Sequence, residues 1–214
     1  MKIALGTAQF EKNYGINRNS KIFTFQEKKK LINFIKKSGI KMIDTASNYD
    51  TAEKDLGKIG VNKLDIVTKL PKLKKKIEIK GQILSATYLS IKKLQVSSLY
   101  GILVHHFQDL ISNSGKDYVN SLIALKRKGI VKKIGVSLYD IQDLKKIIKF
   151  WKPDIIQVPY NVFDQRLHNT SFLKIIKKNK IEVHARSIFL QGLLTRKSKK
   201  KKFKKLNNFF ESWF

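Results

Sequence analysis

The chain has no cysteine in its 214 residues, which excludes a disulfide framework, a thiolate nucleophile and a cysteine-ligated zinc site. No metal centre is expected. An uncharged apolar run of about 18 residues, the length a membrane helix requires, is missing as well. The first residues, Met1-Lys2-Ile3-Ala4-Leu5, lack the charged region and long apolar stretch of an export signal. With neither leader nor span, the expected location is the cytoplasm. Carboxylates are scarce: 16 Asp and Glu face 45 Lys and Arg, a net charge of +29. Such an excess often marks a nucleic-acid or anionic-surface protein. Here the cations are mostly lysine and spread over nearly every predicted helix, as in Glu27-Lys28-Lys29-Lys30, Lys72 to Lys76 and Lys145-Lys146. Arginine is the usual residue for base edges and bidentate phosphate contacts, so solvated helix faces are expected and no specific nucleic-acid partner.

What is present is a regular alternation. Ile3 to Ala8, Ile40 to Thr45, Leu64 to Lys69, Leu99 to His105, Lys133 to Ser137, Asp154 to Val158 and Ile181 to Ala185 read as strands. They are rich in Ile, Val and Leu without polar alternation, as suits strands buried on both faces of a parallel sheet. Helical patterns lie between them. Thr24 and Glu27 have capping-box spacing ahead of Leu31, Phe34 and Ile35, and Gly39 closes that helix. Asp50 and Glu53 repeat the signal. Val119, Leu122 and Ile123 precede Gly129, and Ile141, Leu144, Ile147, Ile148 and Trp151 share one face before Pro153.

Strand and helix in repetition imply right-handed crossovers, in either an open doubly wound sheet or a closed barrel. Two features favour the barrel. The first turn, Gly6-Thr7-Ala8-Gln9, lacks the Gly-x-Gly-x-x-Gly spacing of a dinucleotide-binding sheet. Asp44, Lys69, His105, Ser137 and Gln157 each fall near the carboxyl end of a predicted strand, and in a barrel those ends converge on one face. At 42% apolar content the chain can build one core, so residues 1–214 are expected to form a single domain.

The segment from Gly39 through Asp44-Thr45-Ala46-Ser47-Asn48-Tyr49 to Glu53, closing with Leu56-Gly57, resembles the signature of the aldo/keto reductases. Further segments agree in order: Leu5-Gly6-Thr7-Ala8, Ile66-Val67-Thr68-Lys69, Leu103-Val104-His105, Gly129 to Ser137, Ile156 to Asn161 and Ala185-Arg186-Ser187. The resemblance spans residues 3 to about 195. It implies a (β/α)8 TIM barrel and an NADPH-dependent reduction of an aldehyde or ketone, with NADH as the alternative cofactor and a small carbonyl compound, sugar-type among the candidates, as substrate. It also implies roles: Tyr49 as proton donor, Lys69 as the cation that tunes it, Asp44 as the partner of Lys69, and His105 as the group that orients the carbonyl. Ser137 and Gln157 match positions that bind the nicotinamide amide, Thr7 a turn near the cofactor, and Ser187 a contact on the pyrophosphate side. Two departures stand out. Leu138 replaces an asparagine that often follows the serine, and Arg186 replaces an aromatic residue that often stacks on the nicotinamide. A guanidinium can also stack on a planar ring.

Singly, each residue has a plainer reading. An Asp after a strand is commonly a cap or loop carboxylate, a lysine is usually a surface residue, a tyrosine packs, and His105 or its neighbour His106 could be a half-buried polar side chain. Four such residues at four matched positions are hard to assign to four unrelated roles.

Seven strands are counted where a full barrel has eight. After Ser187 come a linker at Gln191 to Leu194, a basic run at Lys197 and Lys199 to Lys202, and an apolar face of Phe203, Leu206, Phe209, Phe210 and Trp213. That face reads as a seventh helix, packed inward, or alternatively as a basic amphipathic helix on an anionic membrane surface. The expectation is therefore an incomplete barrel lacking the final strand and helix, whose open sheet edges favour self-association. The rival to an enzyme is a catalytically silent barrel fragment acting as a binding or assembly module.

Overall fold

Seven strands form one sheet in the order β1-β2-β3-β4-β5-β6-β7, every neighbouring pair parallel. The computed structural model describes residues 2–10, 23–74, 78–190 and 194. Of the predicted linker at Gln191 to Leu194 only Leu194 is described, and the basic run and the apolar face beyond it lie outside the described residues. The strands are β1 (Ala4–Gly6), β2 (Met42–Asp44), β3 (Asp65–Leu70), β4 (Leu99–Val104), β5 (Val131–Ser137), β6 (Ile155–Pro159) and β7 (Glu182–Arg186). The helices are α1 (Phe25–Lys37), α2 (Ala52–Ile59), α3 (Ile79–Leu94), the single turn α4 (Phe107–Leu110), α5 (Gly115–Arg127), α6 (Asp143–Ile147) and α7 (Thr170–Lys178). Together they curl into an open half-barrel, the TIM-barrel class that the resemblance implied and the strand-end polar residues favoured.

The ends of α1 follow its sequence. The Thr24 hydroxyl accepts from the Glu27 amide at 3.3 Å while the Glu27 carboxylate accepts from the Thr24 amide at 2.9 Å. Gly39 just past the helix has φ +73, a conformation that glycine adopts without steric cost. The second capping signal is not used. Thr51, not Asp50, precedes α2 and makes no side-chain cap, and Glu53 turns into the core to accept from the Thr68 hydroxyl at 2.7 Å. The apolar face at 141–151 is buried as expected, but only Asp143–Ile147 is α-helical, with turns on either side. Spacings of three and four residues bury one face in turns as well as in a continuous helix.

The main core lies between the sheet and its helices, built on Ile32, Leu56, Ile66, Ile102, Leu122 and Ile156 among others. A smaller apolar layer of Val67, Leu103 and Ile155, with Met42 and Tyr100 against it, lines the other face of the sheet. Close approaches are bought with glycine. A Cβ on Gly57 would stand 2.1 Å from the Lys93 carbonyl oxygen, so α2 and α3 meet there backbone to backbone.

Candidate active site

The site is assembled where β2, β3, β4, β5 and β6 end. The loop after β2 continues the strand ladder: the Thr45 amide donates to Val67 O at 2.9 Å and the Ser47 amide to Lys69 O at 3.1 Å. Pinned to β3 in this way, the loop turns through Tyr49, whose amide donates to Ala46 O, and Asp50, with φ 40.

Lys69 is 1% exposed. Its ammonium donates to both oxygens of Asp44 and to the Thr45 carbonyl, each at 2.8 Å. A buried cation is tolerated only when paired and fully hydrogen-bonded, and these three acceptors match its three hydrogens. Burial pushes the Lys69 ammonium below the usual lysine range, Asp44 opposes this by charge and hydrogen bond, and the Arg186 charge adds a little to the lowering. The ammonium lies 5.4 Å from the centre of the Tyr49 ring. Against that ring, edge-on at 82° and 6.3 Å between centroids, stands His105.

His105 is the residue after β4. Burial holds its imidazole down at about 4, helped by the Lys69 and His106 charges and opposed by Asp44. Its Nδ1 is buried with no hydrogen-bond partner among the described residues. Of the two neighbouring histidines, His105 meets Tyr49, while His106 immediately precedes α4. The four residues singled out for catalysis are thus brought into one cluster from three strand ends and one loop.

Ser137 and Gln157 join it from β5 and β6. The Ser137 hydroxyl donates to Gln157 Oε1 at 3.3 Å, and Gln157 Nε2 donates to Asp44 Oδ1 at 2.7 Å. Asp44 is therefore gripped from two sides, by Lys69 and by Gln157. Thr7 is buried behind it, its amide and hydroxyl donating to the Asp44 carbonyl at 2.9 and 3.1 Å. Arg186 and Ser187 stand apart, at the end of β7. The Arg186 guanidinium lies 4.5 Å over the Tyr139 ring and donates to Leu138 O and to the Ser187 hydroxyl. Ser187 has φ 59, and its carbonyl accepts from Asn161 Nδ2 at 3.3 Å.

Sequence reasoning missed three contributors: the Thr45 carbonyl that completes the Lys69 shell, Tyr139 beneath Arg186, and Asn161 on Ser187. A backbone acceptor leaves no signal in residue types. Tyr139 could have been found as an aromatic residue just past a strand end. Chemically, the cluster sets a phenol above a buried, carboxylate-held ammonium and beside an imidazole that is neutral at physiological pH. An ammonium near a phenol favours its ionised form, so the arrangement suits proton delivery by tyrosine.

Known proteins share this architecture. The family model described as "Aldo/keto reductase family" matches residues 2–210. A solved aldo-keto reductase from Bacillus halodurans, in its holo form, superposes with a TM-score of 0.74 at 19% identity, over 92% of this chain and 65% of that one. A glycerol dehydrogenase from Gluconobacter oxydans gives 0.70 at 22% identity over 96% and 69%. An aldo-keto reductase from Klebsiella pneumoniae, solved in complex with NADPH, gives 0.69 at 20% identity over 91% and 66%. The chain thus spans about two thirds of the length of these structures. No curated protein matches it.

Proposed function

Since the chain belongs to the aldo/keto reductase family, we propose that it is an NADP(H)-dependent oxidoreductase that reduces an aldehyde or ketone, a sugar-type carbonyl among them, to an alcohol. The observation that carries this reading is the buried Asp44–Lys69 pair under the Tyr49 ring, with His105 at the ring's edge. When a carbonyl carbon is reduced, negative charge grows on its oxygen, and the Tyr49 phenol delivers the proton there. A free phenol titrates near ~10 and is a reluctant acid at neutral pH. Lys69 favours the phenolate left behind, and Asp44 keeps Lys69 charged and aimed. Gln157 in turn holds Asp44. His105, neutral at physiological pH, hydrogen-bonds and orients the carbonyl instead of protonating it.

The residues present fit the nicotinamide cofactor. Gln157 donates one amide hydrogen to Asp44 and retains a second, and the buried Nδ1 of His105 has no partner among the described residues. Ser137 and Gln157 would hold the carboxamide, with Arg186 and Ser187 as the further cofactor contacts and Thr7, buried with both donors on the Asp44 carbonyl, supporting the site from behind. When bound, the reduced nicotinamide supplies the hydride. The relative from Klebsiella pneumoniae was solved with NADPH, which supports NADPH over NADH.

The test is NADPH oxidation with a panel of small aldehydes, comparing the natural protein with Tyr49→Phe. A loss of about 100-fold or more is expected from removing a general acid. Equal rates would remove Tyr49 from its role. A second reading, a silent half-barrel that binds or assembles, is favoured by one observation: β1 and β7 do not pair with each other, so among the described residues both are edges of the sheet. Fluorescence titration with NADPH separates the two, because the silent form shows no saturable binding.

A further inference from the structure

Parallel strands put every strand start, and every helix end that leads into one, at the same end of the half-barrel. At that end the charge is one-sided. Segments 36–41, 58–65, 92–98, 126–133, 149–154 and 177–182 hold seventeen lysines and arginines against three carboxylates. Two of the three, Asp154 and Glu182, are ion-paired to Lys126 and Lys133 of the same face. Among the described residues the opposite end, which carries Tyr49 and His105, is nearly balanced. Segments 24–28, 45–55, 71–74, 78–81, 105–117, 138–143, 160–171 and 186–190 hold eight cations against ten carboxylates. The six cationic segments are neighbours in space: Lys36 Nζ donates to Gly60 O at 2.6 Å, and Lys126 reaches Asp154 across to β6.

Favourable interaction with the helix dipole explains lysines in last helical turns, but that effect fades within the turn. Lys41, Lys63, Lys132, Lys152 and Lys180 lie beyond the helices and are all exposed. We propose that this end of the half-barrel is a docking face for an anionic lipid bilayer. Three observations favour a bilayer over a nucleic acid. The cations come from six segments across a whole end, as contact with a plane requires. They are lysines apart from Arg127, and lysine lacks the fork that grips single phosphates and base edges. Large apolar side chains are exposed at the same end: Ile3 at 63%, Phe34 at 64% and Phe150 at 44%. Such groups enter the headgroup region of a bilayer while neighbouring lysines meet its charge. At physiological salt, screening over about 8 Å confines this attraction to charges on the face itself.

The experiment is flotation of the full chain with vesicles of phosphatidylcholine, with or without phosphatidylserine, at low and high salt. Binding is expected only with phosphatidylserine, and high salt should release it. Lys41→Gln, Lys63→Gln, Lys152→Gln and Lys180→Gln combined should lower partitioning at least tenfold. The control removes the same charge from the other end, Lys54→Gln, Lys72→Gln, Lys74→Gln and Lys116→Gln combined, and should change it less than twofold. Equal losses in the two variants would reduce the effect to net charge and overturn the docking face. Absence of phosphatidylserine-dependent flotation, or binding to duplex RNA alone, would overturn it too. None of these readouts involves turnover or cofactor, so the outcome is independent of the proposed reaction.

Discussion

His105 illustrates how one residue ties stability to pH. Its folded-state value of about 4 lies below the 6.5 of an exposed histidine, so between those limits the unfolded chain binds the extra proton. Stability from this group is complete above about pH 6.5 and is lost as pH falls toward 4. Urea unfolding from pH 7 to 4.5 should therefore show a falling midpoint in the natural protein and a flatter profile in His105→Gln. Glu182, held down at about 2 chiefly by Lys133, His184 and Tyr100 against the opposing effect of its burial, loses its contribution only below its unfolded value of 4.5. The two windows overlap only between about pH 4 and 4.5. The Asp44–Lys69 pair makes a second test. Asp44→Asn leaves a buried ammonium without its anion, at a cost of roughly 3–5 kcal/mol. Adding Lys69→Met should recover much of that loss, and a double-mutant cycle in chemical denaturation measures it. Additive losses would mean that the two side chains are not coupled.

At the scale of elements, the contact between α2 and α3 depends on Gly57. An alanine there would bring its Cβ to 2.1 Å from the Lys93 carbonyl oxygen, an atom of helix backbone that cannot rotate away. Gly57→Ala should destabilise by about 1–3 kcal/mol or more, as overpacking does. The midpoint of denaturation reads it. The caps were legible unevenly. Thr24 and Glu27 form the capping box that their spacing announces, whereas Asp50 and Glu53 have similar spacing and do not. The difference is burial: Glu53 is 2% exposed and faces Thr68 on β3, a partner that its own helix does not reveal.

For the whole molecule, the measure of a working cofactor site is stabilisation. A ligand at one hundred times its Kd adds about 2.7 kcal/mol, which in a chain of this size raises Tm by roughly 5–10 °C. NADPH is expected to produce such a shift, and its absence would favour the silent half-barrel. Among the described residues no helix is long and apolar enough to cross a membrane.

The order of strands and helices, the family and the identity of Tyr49, Asp44, Lys69 and His105 were legible in the sequence, because periodicity and motif spacing are local properties of the chain. Their convergence, the Gln157 grip on Asp44 and the Thr45 carbonyl that completes the Lys69 shell were decided by tertiary structure. So was the cluster of Tyr100, Lys133, Glu182 and His184, whose Tyr100 and Glu182 stand 82 positions apart in the chain. The physical reason is register: Ser137 faces Gln157 and Glu182 faces Ile155 only once parallel strands pair. That alignment is set by packing across the whole sheet, and no single segment encodes it.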